Sequence, residues 1–178
     1  MHGGVKESQS EMTTLTTVSF DPAIDAMGFR RALGSFATGV TVVTTVTDDG
    51  PMAIVANSFA SVSLDPPLVL WSPAKNTARF HLFADARRYA INVLSASQRD
   101  VCSAVLGART ALSEIPHRLG ENGCPIIADA LASFECHRVT AHDAGDHIIV
   151  VGEVSKAQHR PGDPLVFHGG SYGAFHSD

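Results

Sequence analysis

From residue 41 to residue 71 the sequence is a series of short β-branched and apolar runs cut by turn residues, and this punctuation constrains the fold more than any other feature. Residues 41–46 alternate Val with Thr, as a strand does. Asp48-Asp49-Gly50-Pro51 reads as a turn and residues 52–56 as a second strand, which makes a hairpin. Residues 58–63 read as a strand or strand-edge loop. Pro66-Pro67 bars a central ladder position there, because proline has no N–H to donate. Residues 68–71 are a short buried strand.

The flanking sequence supplies few helices. Asp21-Pro22 is a helix-entry pair, and Phe29, Leu33 and Phe36 recur on one face over residues 24–36, with Gly39 as a stop. Phe80 and Phe83 predict a helix over 77–83, capped by Asn76 or Thr77. Residues 89–94 read as a strand, and residues 97–106 as a helix capped by Ser97. Residues 107–125 carry no period and read as a long surface excursion. Residues 134–140 alternate as a strand, 142–146 form a turn, and 148–154 and 165–167 are the last strands. About seven strands and three helices, with no βαβ units or internal repeat, predict a closed or sandwiched antiparallel sheet. The expected organisation is a loose polar arm over residues 1–20 and one domain over 21–178.

Composition excludes several functions. The 178 residues carry a net charge of −5, with 44% hydrophobic and 17% charged residues. An acidic chain with scattered Lys and Arg is a poor partner for nucleic acid. No apolar run approaches the ~18 residues of a membrane span, and the first residues hold no apolar signal core. Cys102, Cys124 and Cys136 are odd in number and form no Cys-x-x-Cys pair, which points to buried thiols in a reduced, cytoplasmic setting. His137, His142 and His147 are five apart across a turn, a spacing that does not make a metal site. The chain has no Gly-x-Gly-x-x-Gly after a strand, no P-loop, no Gly-x-Ser-x-Gly elbow and no His-Glu-x-x-His.

Three segments have the chemistry of a binding site. Residues 56–77 place Asn57, Ser58, Ser61 and Ser63 beside apolar positions and end in Lys75-Asn76-Thr77. Hydroxyls and strand-edge N–H groups suit a phosphate or the polar rim of a ring. A helix starting after Thr77 adds N–H groups and a positive dipole end, with Lys75 and Arg79 as charges. Gly145-Asp146-His147 opens a strand, where an imidazole can stack on a ring or bond an amide. Gly170-Ser171-Tyr172-Gly173 brings an aromatic that can cover a bound ring. Each also has a plainer reading: a half-exposed strand, an ordinary cap, a turn histidine, a packing tyrosine.

Taken together, the chain resembles the flavin reductase family with the FMN-binding split-barrel fold. The matching residues are Phe29-Arg30-Arg31-Ala32-Leu33-Gly34-Ser35-Phe36-Ala37-Thr38-Gly39-Val40-Thr41-Val42-Val43-Thr44-Thr45 and Ala56-Asn57-Ser58-Phe59-Ala60-Ser61-Val62-Ser63-Leu64-Asp65-Pro66-Pro67-Leu68-Val69-Leu70. Asn92-Val93-Leu94 with Gln98, Gly145-Asp146-His147, Val151-Gly152-Glu153-Val154 and Pro164-Leu165 follow in family order.

The resemblance implies a mainly β fold with flanking helices, an antiparallel split β-barrel of Greek-key type. It implies a homodimer with flavin at the subunit boundary. Asn57, Ser58, Ser61, Val62 and Ser63 are then expected along the flavin, with Thr41 a looser match, and Lys75, Asn76 and Thr77 near its phosphate. His147 is expected beside the nicotinamide as the catalytic candidate, with Tyr172 near it. The implied activity is hydride transfer from NADH or NADPH to FMN or FAD, with reduced flavin passed to a partner monooxygenase. A flavin carrier without turnover and an oxidase of the pyridoxamine-phosphate type are the alternatives. Two departures stand out. Ala53-Ile54-Val55 replaces a Gly-x-Thr that would give flavin one more hydroxyl, and Ser113-Glu114-Ile115-Pro116-His117-Arg118 replaces an Asp-Lys-Phe-like run.

Overall fold

The computed structural model describes residues 16–107 and 111–175, so most of the arm expected over residues 1–20 lies outside the described residues. The chain divides into two compact units, Met1–Leu33 and Gly34–Asp178. In the first unit Asp21 makes a turn rather than a helix entry: its carbonyl accepts the N–H groups of Ile24 and Asp25 at 3.0 and 2.9 Å. Helix α1 (Ala26–Gly34) starts after Asp25, whose carboxylate accepts the Gly28 N–H at 2.7 Å. That is an N-cap contact, and it explains why the helix starts later than residue 24.

The second unit holds β1 (Thr38–Gly39), β2 (Thr41–Thr47), β3 (Gly50–Ala56), β4 (Ala60–Leu64) and β5 (Pro67–Trp71), then α2 (Phe80–Ala84), β6 (Arg88–Val93) and α3 (Arg99–Gly107). It continues with β7 (His117–Leu119), β8 (Pro125–Ile127), β9 (Ala132–Ala144), β10 (His147–His159), β11 (Leu165–His168) and β12 (Ser171–Ala174). Among the described residues no helix is long and apolar enough to cross a membrane.

The main sheet has seven strands in the order β3-β2-β6-β9-β10-β5-β4, and every pairing is antiparallel. Early and late strands interleave, as in a Greek key. The sheet does not close, which sets aside the closed alternative of the strand pattern and agrees with the split barrel that the resemblance implies. Its two edges, β3 and β4, are consecutive in the chain and joined only by residues 57–59. This gap is the split of a split barrel.

Several elements differ from the sequence reading. The 3₁₀ turn Ala96–Gln98 precedes α3, and its cap is Ser95 rather than Ser97: Ser95 and Gln98 form a reciprocal capping box. The excursion over residues 107–125 contains β7, which pairs with β8. Strand β9 runs on to Ala144, so the turn before β10 is only Gly145-Asp146, with Gly145 at φ +71°. Ser171–Ala174 is a strand paired with β11, not a loose end.

The core explains why β2 is buried along most of its length. Successive strand residues face opposite sides. Val42 packs with Leu94, Cys102, Val105 and Leu165 on one side, and Val43 packs with Trp71, Phe83, Tyr89, Ile91 and Val150 on the other. Asn92, fully buried, ties the layers. Its amide donates to the Val42 carbonyl at 3.1 Å and accepts from Ile127 N–H and the Ser133 hydroxyl at 3.0 and 2.9 Å. Gln98 donates to the Ala128 carbonyl at 2.7 Å. These two residues of the resembling motif are therefore framework pins.

Candidate active site

The split edge is shaped by how the 57–59 link is held. Ser58 accepts the Ser72 N–H at 2.9 Å and donates its proton to the Ser72 carbonyl at 3.2 Å. Phe59 stacks on Phe134 with ring centroids 5.5 Å apart. Thr41, buried in β2, donates to the Ala56 carbonyl at 2.7 Å. The hydroxyls of Ser58 and Thr41 are thus engaged with backbone, and both residues fix the link instead of presenting a donor. Asn57 between them is exposed.

Strand β4 carries the rest of the expected flavin wall. It is an edge strand, so its outer backbone groups have no strand partner among the described residues. Its register against β5 skips from Ser61 to Ser63, a bulge at Val62. A bulge locally bends the strand and re-aims side chains. Ser61 and Val62 are exposed and Ser63 is half-buried. Asn57, Ser61, Val62 and Ser63 therefore line one open edge with hydroxyls, an amide and one apolar side chain.

The Lys75 segment and the His147 turn, far apart in sequence, meet in the fold. Lys75 N–H donates to the Asp146 carbonyl at 2.8 Å, Ile148 N–H to the Pro73 carbonyl at 3.2 Å, and Ala74 bridges His147. The Lys75 ammonium lies 2.6 Å from Asp143 Oδ2 and donates to the Gly145 carbonyl at 2.6 Å. His147 Nδ1 lies 2.7 Å from Asp146 Oδ1. The hydrogen bond from Lys75, reinforced by its charge, holds the Asp143 carboxyl below its ordinary value. His147 does the same for Asp146. Asp143 was not among the expected site residues: its only sequence signal is the run His142-Asp143-Ala144-Gly145-Asp146-His147, which joins Lys75 only in three dimensions.

The phosphate end differs from expectation. Helix α2 starts at Phe80, not after Thr77, and has only five residues. Neither Asn76 nor Thr77 caps it. The residue at its N-cap is Arg79, which makes no side-chain cap bond. Thr77 donates to the Ala74 carbonyl at 3.0 Å, closing a turn, while Asn76 is exposed. Arg79 donates to the carbonyls of Ala53 and Val105 at 2.7 and 3.0 Å, so its guanidinium ties β3 to α3. The charge at this end comes from Lys75.

Tyr172 goes elsewhere. It sits in β12 against Phe167, with ring centroids 5.2 Å apart, and under the Arg99 guanidinium at 5.6 Å. Its hydroxyl accepts a hydrogen bond from Cys102 at 3.3 Å, and that bond together with burial pushes its pKa up to about 12. These partners lie on β11 and α3, while His147 lies at the β9–β10 turn. Within one chain, then, Tyr172 contacts β11 and α3, while His147 contacts Asp146 and bridges Ala74. Val55, where a hydroxyl was expected, packs from β3 against the core of Val42 and Leu94. Among the described residues no cluster of metal-ligating side chains exists, and His137, His142 and His147 form none.

The architecture defines a split-barrel protein with a polar open edge, and comparison with known proteins places it. A family model described as flavin reductase like domain matches residues 33–176. FMN reductase (NADH) SmoA of Agrobacterium fabrum is 55% identical over 152 residues, covering 85% of this chain and 87% of that protein. The flavin-dependent monooxygenase reductase subunit HsaB of Mycobacterium tuberculosis is 41% identical over 154 residues, covering 84% and 82%. The solved structure of Streptomyces globisporus NADH:FAD oxidoreductase SgcE6 in complex with NAD and FAD fragments superposes with TM-score 0.84 at 36% identity, over 91% of this chain and 99% of that one. The chain belongs to the flavin reductase-like family.

Proposed function

We propose that this protein transfers hydride from NADH or NADPH to FMN or FAD at the split edge and supplies the reduced flavin to a separate monooxygenase. The observation that carries the reading is the Lys75–His147 junction, which follows directly on β5, the strand that pairs with the β4 edge, in a chain 55% identical to an NADH-dependent FMN reductase. The donor set on this edge fits a flavin: exposed amide and hydroxyl groups of Asn57 and Ser61, the half-buried Ser63, and an ammonium at one end. Bound flavin supplies the hydride-accepting chemistry, and the protein supplies alignment.

In this reading Asn57, Ser61 and Ser63 bond the polar rim of the ring and Val62 packs on its face. Lys75 and Asn76 address the phosphate. Ser58, Thr41 and Thr77 hold those residues in place. His147, half-exposed and paired with Asp146, orients the nicotinamide. Tyr172 serves the framework of α3 and β11. The activity needs no acid or base dyad, because the bound flavin supplies the chemistry.

A second copy of the chain completes the site. Val62 and Leu64 on the edge strand are 49% and 97% exposed, a surface suited to cover by a partner subunit. Two surface cavities of about 550 and 600 Å³ lie elsewhere, around Arg87 and around Arg118, and neither includes the split edge. The free thiols of Cys102, Cys124 and Cys136 accord with a reducing, cytoplasmic setting.

The test is anaerobic mixing of the purified protein with NADH or NADPH and FMN or FAD. Bleaching of the flavin absorbance is the expected result. Absence of bleaching for all four pairs overturns the reading. Tight binding without bleaching establishes a carrier instead.

A further inference from the structure

We infer that Asp143 is an internal competitor for Lys75 that keeps the flavin-phosphate subsite weak, so that FMN remains exchangeable. The inference rests on the reading above that Lys75 faces the phosphate.

Lys75 is the ammonium at this end of the site, and its charge is already matched. Asp143 Oδ2 is 2.6 Å away, and the Gly145 carbonyl takes a second N–H at the same distance. Asp146 adds another carboxylate in the same turn, close enough to Lys75 that the two attract. Lys75 therefore stands beside two carboxylates, Asp143 bonded to it directly and Asp146 paired with His147. A phosphate dianion arriving at Lys75 meets repulsion from Asp143 and must share or displace its bond. Arg79, which would otherwise reinforce the positive charge, is turned toward the Ala53 and Val105 carbonyls. The Asp143 side chain is 78% exposed and the Lys75 side chain 34%. An exposed pair of this kind is weak enough for a ligand to open.

The arrangement fits a protein whose product must leave. A reductase that hands reduced flavin to another enzyme gains nothing from an uncompensated phosphate clamp. A carboxylate preset on the clamp lowers affinity for the phosphate without touching the ring contacts on β4.

The test is titration of FMN and riboflavin into the full-length protein and its Asp143→Asn variant, followed by fluorescence. Asparagine keeps the shape and removes the charge. The expected result is FMN binding about twofold to fivefold tighter, with riboflavin unchanged, as loss of one screened charge pair implies. Stopped-flow dissociation of FMN slows by a similar factor. Lys75→Met separates this inference from the reading beneath it. If Lys75→Met weakens FMN and riboflavin equally, the phosphate assignment of Lys75 fails and the inference with it. If Lys75→Met weakens FMN selectively but Asp143→Asn leaves FMN unchanged or weaker, the competitor role alone is overturned. In the double variant, tightening by Asp143→Asn shrinks, because the ammonium it competes for is gone. Circular dichroism of each variant verifies that the fold is kept.

Discussion

Ser58 grips both backbone groups of Ser72, accepting its N–H at 2.9 Å and donating to its carbonyl at 3.2 Å. The residues lie at the ends of β3 and β5, so one hydroxyl pins the link that crosses the split. Ser58→Ala removes both bonds, leaves a half-buried N–H and carbonyl without this partner, and loosens Asn57 next to it. Stability is expected to fall by about 1–2 kcal/mol in urea unfolding. Flavin affinity falls with it, and Ser58→Thr restores part of both.

His147→Ala tests the nicotinamide role. Its side chain is half-exposed and makes a hydrogen bond with Asp146 at the turn, so its loss costs the fold little. The KM for NADH is expected to rise about tenfold while the flavin Kd stays within about twofold, the signature of a lost co-substrate contact of roughly 1.4 kcal/mol. Unchanged steady-state kinetics with NADH would remove His147 from the site.

Gly152 in β10 has no room for a side chain. A Cβ there falls 2.0 Å from the hydroxyl oxygen of Tyr89, a ring that is buried and wedged beside Trp71 at 5.9 Å. Gly152→Ala is expected to lower stability by roughly 1–3 kcal/mol. A thermal melt of the variant measures it. Tyr89→Phe removes the clashing oxygen, and the double variant recovers part of the loss.

The thiols give a pH prediction. Burial pushes Cys124 up to about 11 and Cys136 up to about 12. The folded state therefore holds these protons more tightly than the unfolded state. Their stabilising contribution is full below the ordinary thiol pKa of about 8.5 and is lost as pH rises toward the folded values. Urea midpoints are expected to fall between pH 9 and 11, and replacing both cysteines with alanine flattens that slope. Cys102, Cys124 and Cys136 are buried, so a thiol reagent at pH 8 reacts with them only after denaturant is added.

Much of the framework is legible in the sequence because strands announce themselves locally. The β-branched run of Val and Thr in β2, the Asp48-Asp49 turn and the Pro66-Pro67 break each encode a strand or its end without help from distant residues. The hairpin of β2 and β3 forms as expected, but its turn is only Asp48-Asp49: Gly50 and Pro51, expected in the turn, pair with Thr47 and Val46. Helix starts are less legible. Asp25 and Ser95 took the capping positions expected of Asp21 and Ser97, and α2 began at Phe80 rather than Thr77. A cap depends on which side chain the turn geometry lets reach back, and neighbouring Ser, Thr and Asp residues compete for it.

The sequence by itself determined an antiparallel β chain, the residues that bear the family's pattern, and a candidate set of hydroxyls and one lysine for the proposed site. Only the tertiary structure decided which of those groups are available. It engaged the hydroxyls of Thr41 and Ser58 with backbone carbonyls, turned Arg79 to α3, packed Tyr172 against Phe167, and set Asp143 on Lys75 across 68 residues of sequence. The reason is physical. A side chain's type fixes what it can bond, but its partner is fixed by which backbone the sheet order brings within about 3 Å of it.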